Sequence, residues 1–300
     1  MKEPFQTNTT SLTIPQSQDA ASRRRNPLMR TLKSVLVSAS SVLPDSVYKP
    51  IYESSFAFYK SLLRQLYFQH VARAWFSGDP IALTRAKSVY RVMPYSLVGS
   101  SGLEATFDAA SDLIKREIPG SFVECGVAQG GCSALMALIA RSDPAGRKIW
   151  LFDSFQGLPS PTKEDYDVSG KWTGEHIRPL PRGSCLGMKG QVESLLFGQF
   201  GLDRQSVFLI DGWFQDTLPL HKNRISEISL LRIDGDWYES TICCLHHLYD
   251  KVSPGGYVII DDYGVCYGCK KAVHEFLDER GLNPRLVPDG RGGVLFSKSS

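Results

Sequence analysis

The chain has 300 residues, 42% of them apolar, and a formal net charge of +3. That length buries a full core as one large or two small domains, and a charge so near neutrality gives bulk electrostatics no reason to select nucleic acid. No apolar stretch reaches the roughly 20 residues needed to span a bilayer.

Residues 1–44 are rich in Ser, Thr and Arg, carry Arg23-Arg24-Arg25 and hold two acids, Glu3 and Asp19. This composition suits a disordered tail, with an organelle-targeting segment as the alternative. Residues 45–92 read as a helical extension, because Tyr59, Leu62, Leu63, Leu66, Tyr67 and His70 recur at intervals of three and four. The aromatic stripe is expected to pack, and Lys60, Arg64, Arg73, Arg85, Lys87 and Arg91 to form a solvated face. These helices are also candidates to exchange contacts between subunits of a homo-oligomer.

From residue 121 strands and helices alternate. The strand-like 121–125 runs through Gly126, Gly130 and Gly131 into an apolar helix at 134–140. The glycines let backbone approach a ligand, and the helix N-terminus offers free N–H groups to a carboxylate or phosphate. A second strand, 148–152, ends in Asp153, where an acid commonly accepts hydrogen bonds from the ribose of an adenosine-bearing cofactor. NAD is one such cofactor, but Gly126-x-x-x-Gly130-Gly131 is not G-x-G-x-x-G, so a cofactor without a pyrophosphate fits better. The Gly- and Pro-rich stretch 163–190 is longer than usual connections and reads as a substrate lid, with Trp172, His176 and Arg178 as candidate contacts.

Two apolar strands, 228–233 and 256–260, each end in acid: Asp234 and Asp236 after the first, Asp261 and Asp262 after the second. Residues 238–252 are long enough for a crossover helix, so the strands are parallel and both clusters fall on the sheet edge where open α/β sheets bind ligands. Carboxylates converging there would repel one another unless a cation, a shared proton or an arginine neutralised them, and the reading is a hard-cation site with Asp234, Asp261 and Asp262 as ligands and Asp234 or Asp236 as general base. His246, His247 and His274 lie in helical patterns and read as structural, whereas His176 and His221 sit in loop-like segments near that edge. Seven cysteines, two adjacent at Cys243 and Cys244, are not a secreted disulfide framework, and Cys266-x-x-Cys269 lacks the partners of a zinc site; a reducing, cytoplasmic setting is expected.

From about Met93 to Phe276 the chain resembles the macrocin O-methyltransferase family. Five blocks carry the resemblance: F-V-E-C-G-V-x-x-G-G (122–131), F-D-S-F-x-G-L-P (152–159), G-W-F-x-D-T-L-P (212–219), L-R-I-D-G-D-W-Y-E-S-T (231–241) and S-P-G-G-Y-V-I-I-D-D-Y-G (253–264). It implies a Rossmann-like class I methyltransferase fold over residues 93–300: a seven-stranded, mostly parallel sheet with helices on both faces, its last strand, 293–296, an antiparallel edge. It also implies S-adenosylmethionine and Mg2+ as cofactors and, as substrate, a small hydroxylated molecule such as a sugar or glycosylated natural product.

By the same resemblance Glu124 and Gly126 line the methionine end of the donor. Asp153, with Ser154 beside it, meets the ribose, and Asp211, Gly212 and Trp213 meet the adenine. Tyr95 and Ser96 belong to a covering lid. Position 132 is Cys where the family commonly has Ser, leaving Ser133 or backbone N–H groups to meet the donor carboxylate. The competing readings are an NAD-linked oxidoreductase, a catechol-type O-methyltransferase and a non-catalytic adenosine-binding protein.

Overall fold

A computed structural model describes residues 43–174, 176 and 178–299. The tail expected over 1–44 therefore lies, except for Leu43 and Pro44, outside the described residues. Two helices come first: α1, Asp45–Ser77, and α2, Pro80–Val92. The sequence pattern runs through both without a break, yet local chemistry divides them. Gly78 takes a φ of +70° to end α1, the Asp79 side chain accepts hydrogen bonds from the Ile81 and Ala82 N–H groups, and Pro80 opens α2. Both helices lean on α3, Ser100–Lys115: Tyr67 donates to Glu104 at 2.6 Å, and Arg85 makes a paired contact with Asp108.

Next come β1 Ser121–Cys125, α4 Gly131–Ala140 and β2 Ile149–Asp153; then a short helix α5 Lys189–Glu193, β3 Val207–Asp211, α6 Phe214–His221 and β4 Ile228–Ile233. The chain finishes with α7 Tyr238–Leu248, β5 Val252–Ile260, α8 Tyr267–Glu279, β6 Val287–Pro288 and β7 Val294–Ser297. The sheet order is β3-β2-β1-β4-β5-β7-β6, with β1 to β5 parallel and β7 antiparallel to both its neighbours. Two expectations need correction. The last strand is not the edge, because β6 pairs outside it. The expected turn 253–256 lies inside β5, where the register shifts and Gly255 adopts a φ of +77°.

Strand alternation sends neighbouring residues to opposite faces. Phe122, Leu230 and Ile259 pack beneath Leu103, Phe107 and Leu135 of α3 and α4, while Val123, Leu231 and Val258 pack against Leu245 and Phe276 of α7 and α8. Both faces are thus covered, as a parallel sheet requires. Strand order reverses between β1 and β4, so a crevice opens at their carboxyl ends, flanked by the tips of β2 and β5.

Candidate functional site

The acids are placed by continuation of the sheet. The Asp234 N–H donates to Cys125 O at 2.8 Å and the Asp261 N–H to Ile233 O at 3.0 Å, so both residues sit on adjacent strand tips at the crevice. One oxygen each from Asp234, Asp261 and Asp262 lies within 4.8 Å of the others, and Asp236, Asp262 and Cys266 form a second such group. A glycine allows the crowding. A Cβ at Gly126, whose φ is +98°, would fall 1.7 Å from the Asp234 carbonyl. Asp236 is itself held at a φ of +56°, its N–H donating to Asp262 Oδ2 at 3.0 Å.

The sequence admits an arginine among the groups that could neutralise these acids but does not single one out. Arg232, fully buried in β4, reaches Asp234 at 2.8 Å and Glu124 at 3.2 Å through Nη1, and Asp261 at 2.5 Å through Nη2. Arg291, from the turn between β6 and β7, meets the other Asp261 oxygen at 2.5 Å. The available signal was a charged residue inside an otherwise apolar central strand, which is almost never buried unpaired.

Five carboxylates against two guanidiniums leave excess negative charge. Burial pushes Glu124 up to about 7 against the pull of Arg232. Burial, reinforced by Asp234 and Asp261, pushes Asp236 up to about 8. Asp234 and Asp262 are also held above the ordinary carboxylate range, chiefly by loss of water and then by neighbouring acids. A hard divalent cation would relieve this repulsion, and three converging carboxylates form a donor set that suits one.

The rest of the crevice is more committed than the sequence suggested. Asp153 Oδ2 accepts from the Val127 and Ala128 N–H groups at 2.8 and 3.0 Å, and Oδ1 from Phe155 at 2.6 Å. This acid therefore shapes the glycine turn, and a ribose would have to use its remaining lone pairs. Ser154 is buried with its hydroxyl accepting from the Gln156 N–H, so it serves its own turn. Ser133, expected to have a free hydroxyl, is fully buried and donates to Glu124. Cys132 is buried with its thiol toward Thr106.

Asp211 lies beside Asp153 in the sheet register and pairs with Lys189 at 3.3 Å; Gly212 and half-buried Trp213 follow at the start of α6. Tyr95 accepts from Gln199 at 2.6 Å, and Ser96 Oγ accepts from the Val98 N–H. Their segment closes on Gly131, where a Cβ would meet the Tyr95 carbonyl at 2.6 Å.

The long loop is tied down rather than open. Trp172 donates to His176 O and sets its ring edge-on to Trp237, while His176 meets the ring of Tyr52. Arg178 pairs with Asp45 at 2.8 Å and stacks over Tyr48, so it anchors the loop to α1 instead of projecting into the crevice. Cys185, which the sequence gave no reason to single out, lies close enough to Asp236, Asp234 and Asp262 for their charges to add to the burial that raises its thiol. His221 ends α6 against Phe152 and Arg224, apart from the acidic cluster. His247 pairs with Lys222, and His274 with Tyr263.

Comparison with known proteins agrees with this fold. The family described as Macrocin-O-methyltransferase (TylF) matches residues 27–298. The demethyldecarbamoylnovobiocin O-methyltransferase of Streptomyces niveus is 37% identical over 207 residues, covering 68% of this chain and 76% of the relative. The mycinamicin III 3''-O-methyltransferase of Micromonospora griseorubida is 30% identical over 212 residues, covering 70% and 81%. Among solved structures, the O-methyltransferase NovP aligns with a TM-score of 0.61 at 31% identity, over 80% of this chain and 100% of that one. The calicheamicin methyltransferase CalS11 shares the fold, with a TM-score of 0.58 at 18% identity over 80% and 93%.

Proposed function

Because the chain belongs to the macrocin O-methyltransferase family and is an S-adenosylmethionine-dependent O-methyltransferase, we propose that it methylates a sugar hydroxyl of a glycosylated natural product with the help of Mg2+. One observation carries the metal: the oxygens of Asp234, Asp261 and Asp262 converge within 4.8 Å at the tips of adjacent strands. Mg2+ held there would lower the pKa of the acceptor hydroxyl and fix it beside the donor methyl. Asp234 or Asp236 takes the hydroxyl proton. Glu124 and Gly126 line the methionine end of the donor, Asp153 meets its ribose, and Asp211, Gly212 and Trp213 its adenine. Tyr95 and Ser96 cover the crevice and exclude water.

The sugar assignment rests on the relatives, whose names specify demethyldecarbamoylnovobiocin, a mycinamicin and a rhamnosyl-tetracenomycin. We divide the chain into an extension at 45–92 and a catalytic domain at 93–300. Seven free thiols support a reducing, cytoplasmic setting, and among the described residues no helix is long and apolar enough to cross a membrane. A homo-oligomer is supported by α1, where Val47, Ile51, Phe58 and Leu62 stand exposed in one stripe opposite buried Tyr67 and Ala74.

The test is methyl transfer from labelled S-adenosylmethionine to glycosides bearing vicinal hydroxyls, with Mg2+ and then with EDTA. Full activity in EDTA would refute the metal. Transfer to catechols but to no glycoside would refute the sugar.

A further inference from the structure

Lys60 was expected on a solvated face of α1, and the structure places it elsewhere. Its ammonium donates to Gln129 Oε1 at 2.9 Å, in the glycine turn between β1 and α4, and to Pro94 O at 3.4 Å, in the segment that covers the crevice. Both acceptors are neutral, and no carboxylate among the described residues forms an ion pair with it. Loss of water alone lowers its pKa. A half-buried cation held by two neutral oxygens and, at 6.0 Å, the face of the Phe56 ring is an unfinished arrangement, because desolvating a charge is offset fully only by an opposite charge.

The methyl donor carries such a charge. S-adenosylmethionine presents two cationic groups, the sulfonium and the amine, and one anion, its carboxylate. Glu124, Asp234, Asp261 and Asp262 attract the cationic groups and repel the carboxylate, which must turn away from them. At the start of α4 the first-turn side chains are unavailable: the Cys132 thiol is buried against Thr106, and Ser133 donates to Glu124. Of the nearby cations, Arg232 and Arg291 are committed to the acids and Lys189 to Asp211. Arg64 and Arg91 lie over the Tyr90 and Phe200 rings, which leaves Lys60, beside the free N–H groups at the start of α4. We propose that Lys60, from the helical extension, binds the carboxylate of the methyl donor and so makes α1 part of the cofactor site. This rests on the methyl-donor reading of the crevice.

The test is calorimetric binding of two compounds that differ in the carboxylate alone: S-adenosylhomocysteine and its decarboxylated form, S-adenosyl-3-thiopropylamine. Wild-type protein binds the first more tightly. Lys60→Met and Lys60→Gln each weaken S-adenosylhomocysteine by about 10- to 100-fold, the worth of one charge-assisted hydrogen bond, and leave the decarboxylated compound within about twofold. Lys60→Arg keeps part of the preference. Equal weakening of both compounds would make Lys60 a structural tie between α1 and the turn; no weakening of either would remove it from the site. Both outcomes overturn the proposal. Wild-type protein that binds neither compound would instead overturn the donor reading, and this assignment with it.

Discussion

Replacing Arg232 with Met tests the account of the acidic cluster most severely. The guanidinium is fully buried and touches three carboxylates, of which Glu124 is 1% exposed and Asp261 3% in their side chains. Removing one partner of a buried pair costs about 3–5 kcal/mol, since the other is left charged and unpaired. For a chain of this size each kcal/mol moves Tm by roughly 1.5–2 °C, so Arg232→Met should melt roughly 5–10 °C lower in EDTA. Carboxylates short of positive charge bind a divalent cation more gladly, so Mg2+ should raise the Tm of the variant by more than that of the wild type. Adding Glu124→Gln, which removes the buried charge on the other side, should return part of the loss, and the cycle of single and double variants should show coupling of about 0.5–3 kcal/mol. Thermal unfolding of the four proteins, with and without Mg2+, measures all of this. An Arg232→Met protein melting within about 1 °C of wild type in EDTA, or strictly additive losses in the cycle, would show that Arg232 does not hold the cluster.

Asp262→Asn, at the residue common to both oxygen groups, should abolish Mg2+-dependent transfer by more than about 100-fold while S-adenosylhomocysteine affinity stays within about threefold; calorimetry beside a rate assay separates the two. Mg2+ affinity should rise with pH, because the proposed ligands Asp234 and Asp262 are held above the ordinary carboxylate range and the ion must displace their protons; Glu124, pushed up to about 7, and Asp236, to about 8, set the window for stability. The sign for stability is the reverse in the metal-free protein: a folded carboxyl whose pKa is raised contributes stability below its unfolded value that is lost as pH rises through the folded one, so in EDTA Tm should fall from about pH 5 to pH 9. A metal affinity independent of pH would contradict both shifts. Phe58→Asp with Leu62→Asp should lower the oligomeric mass measured by light scattering without changing helix content, if the stripe on α1 faces a second copy.

The central strands were legible because branched apolar runs ending in acid carry both the parallel sheet and its ligand-binding edge. Asp234, Asp261 and Asp262 could be grouped from sequence once β4 and β5 were taken as neighbours. Arg291 and Lys60 could not, because their partners lie far away in sequence and only the fold brings them within reach, and of the partners of Arg232 only Asp234 is near it in the chain. Sequence spacing says nothing of which side chains are already engaged, and so Asp153, Ser154 and Ser133 looked freer than they are. The α1–α2 break was different. Its signals at Gly78, Asp79 and Pro80 were present, but the continuous helical period masked them.

The choice of general base can be narrowed by asking which acid is left over. Asp234 shares Arg232 and belongs to the oxygen group with Asp261 and Asp262, so a cation bound there draws on its lone pairs. Asp236 has no such claim on it. Its group is the other one, with Asp262 and Cys266, one carboxylate removed from the proposed metal. Burial and the charges of Asp234 and Asp261 hold its pKa near 8, and a cation beside Asp262 would weaken that repulsion and bring it toward the working range of a base. On the proposed chemistry, then, Asp234 holds metal and Asp236 takes the proton. Asp234→Asn should weaken Mg2+ binding, whereas Asp236→Asn should lower kcat with Mg2+ and S-adenosylhomocysteine affinities nearly unchanged. An Asp236→Asn enzyme that turns over normally would return the proton to Asp234.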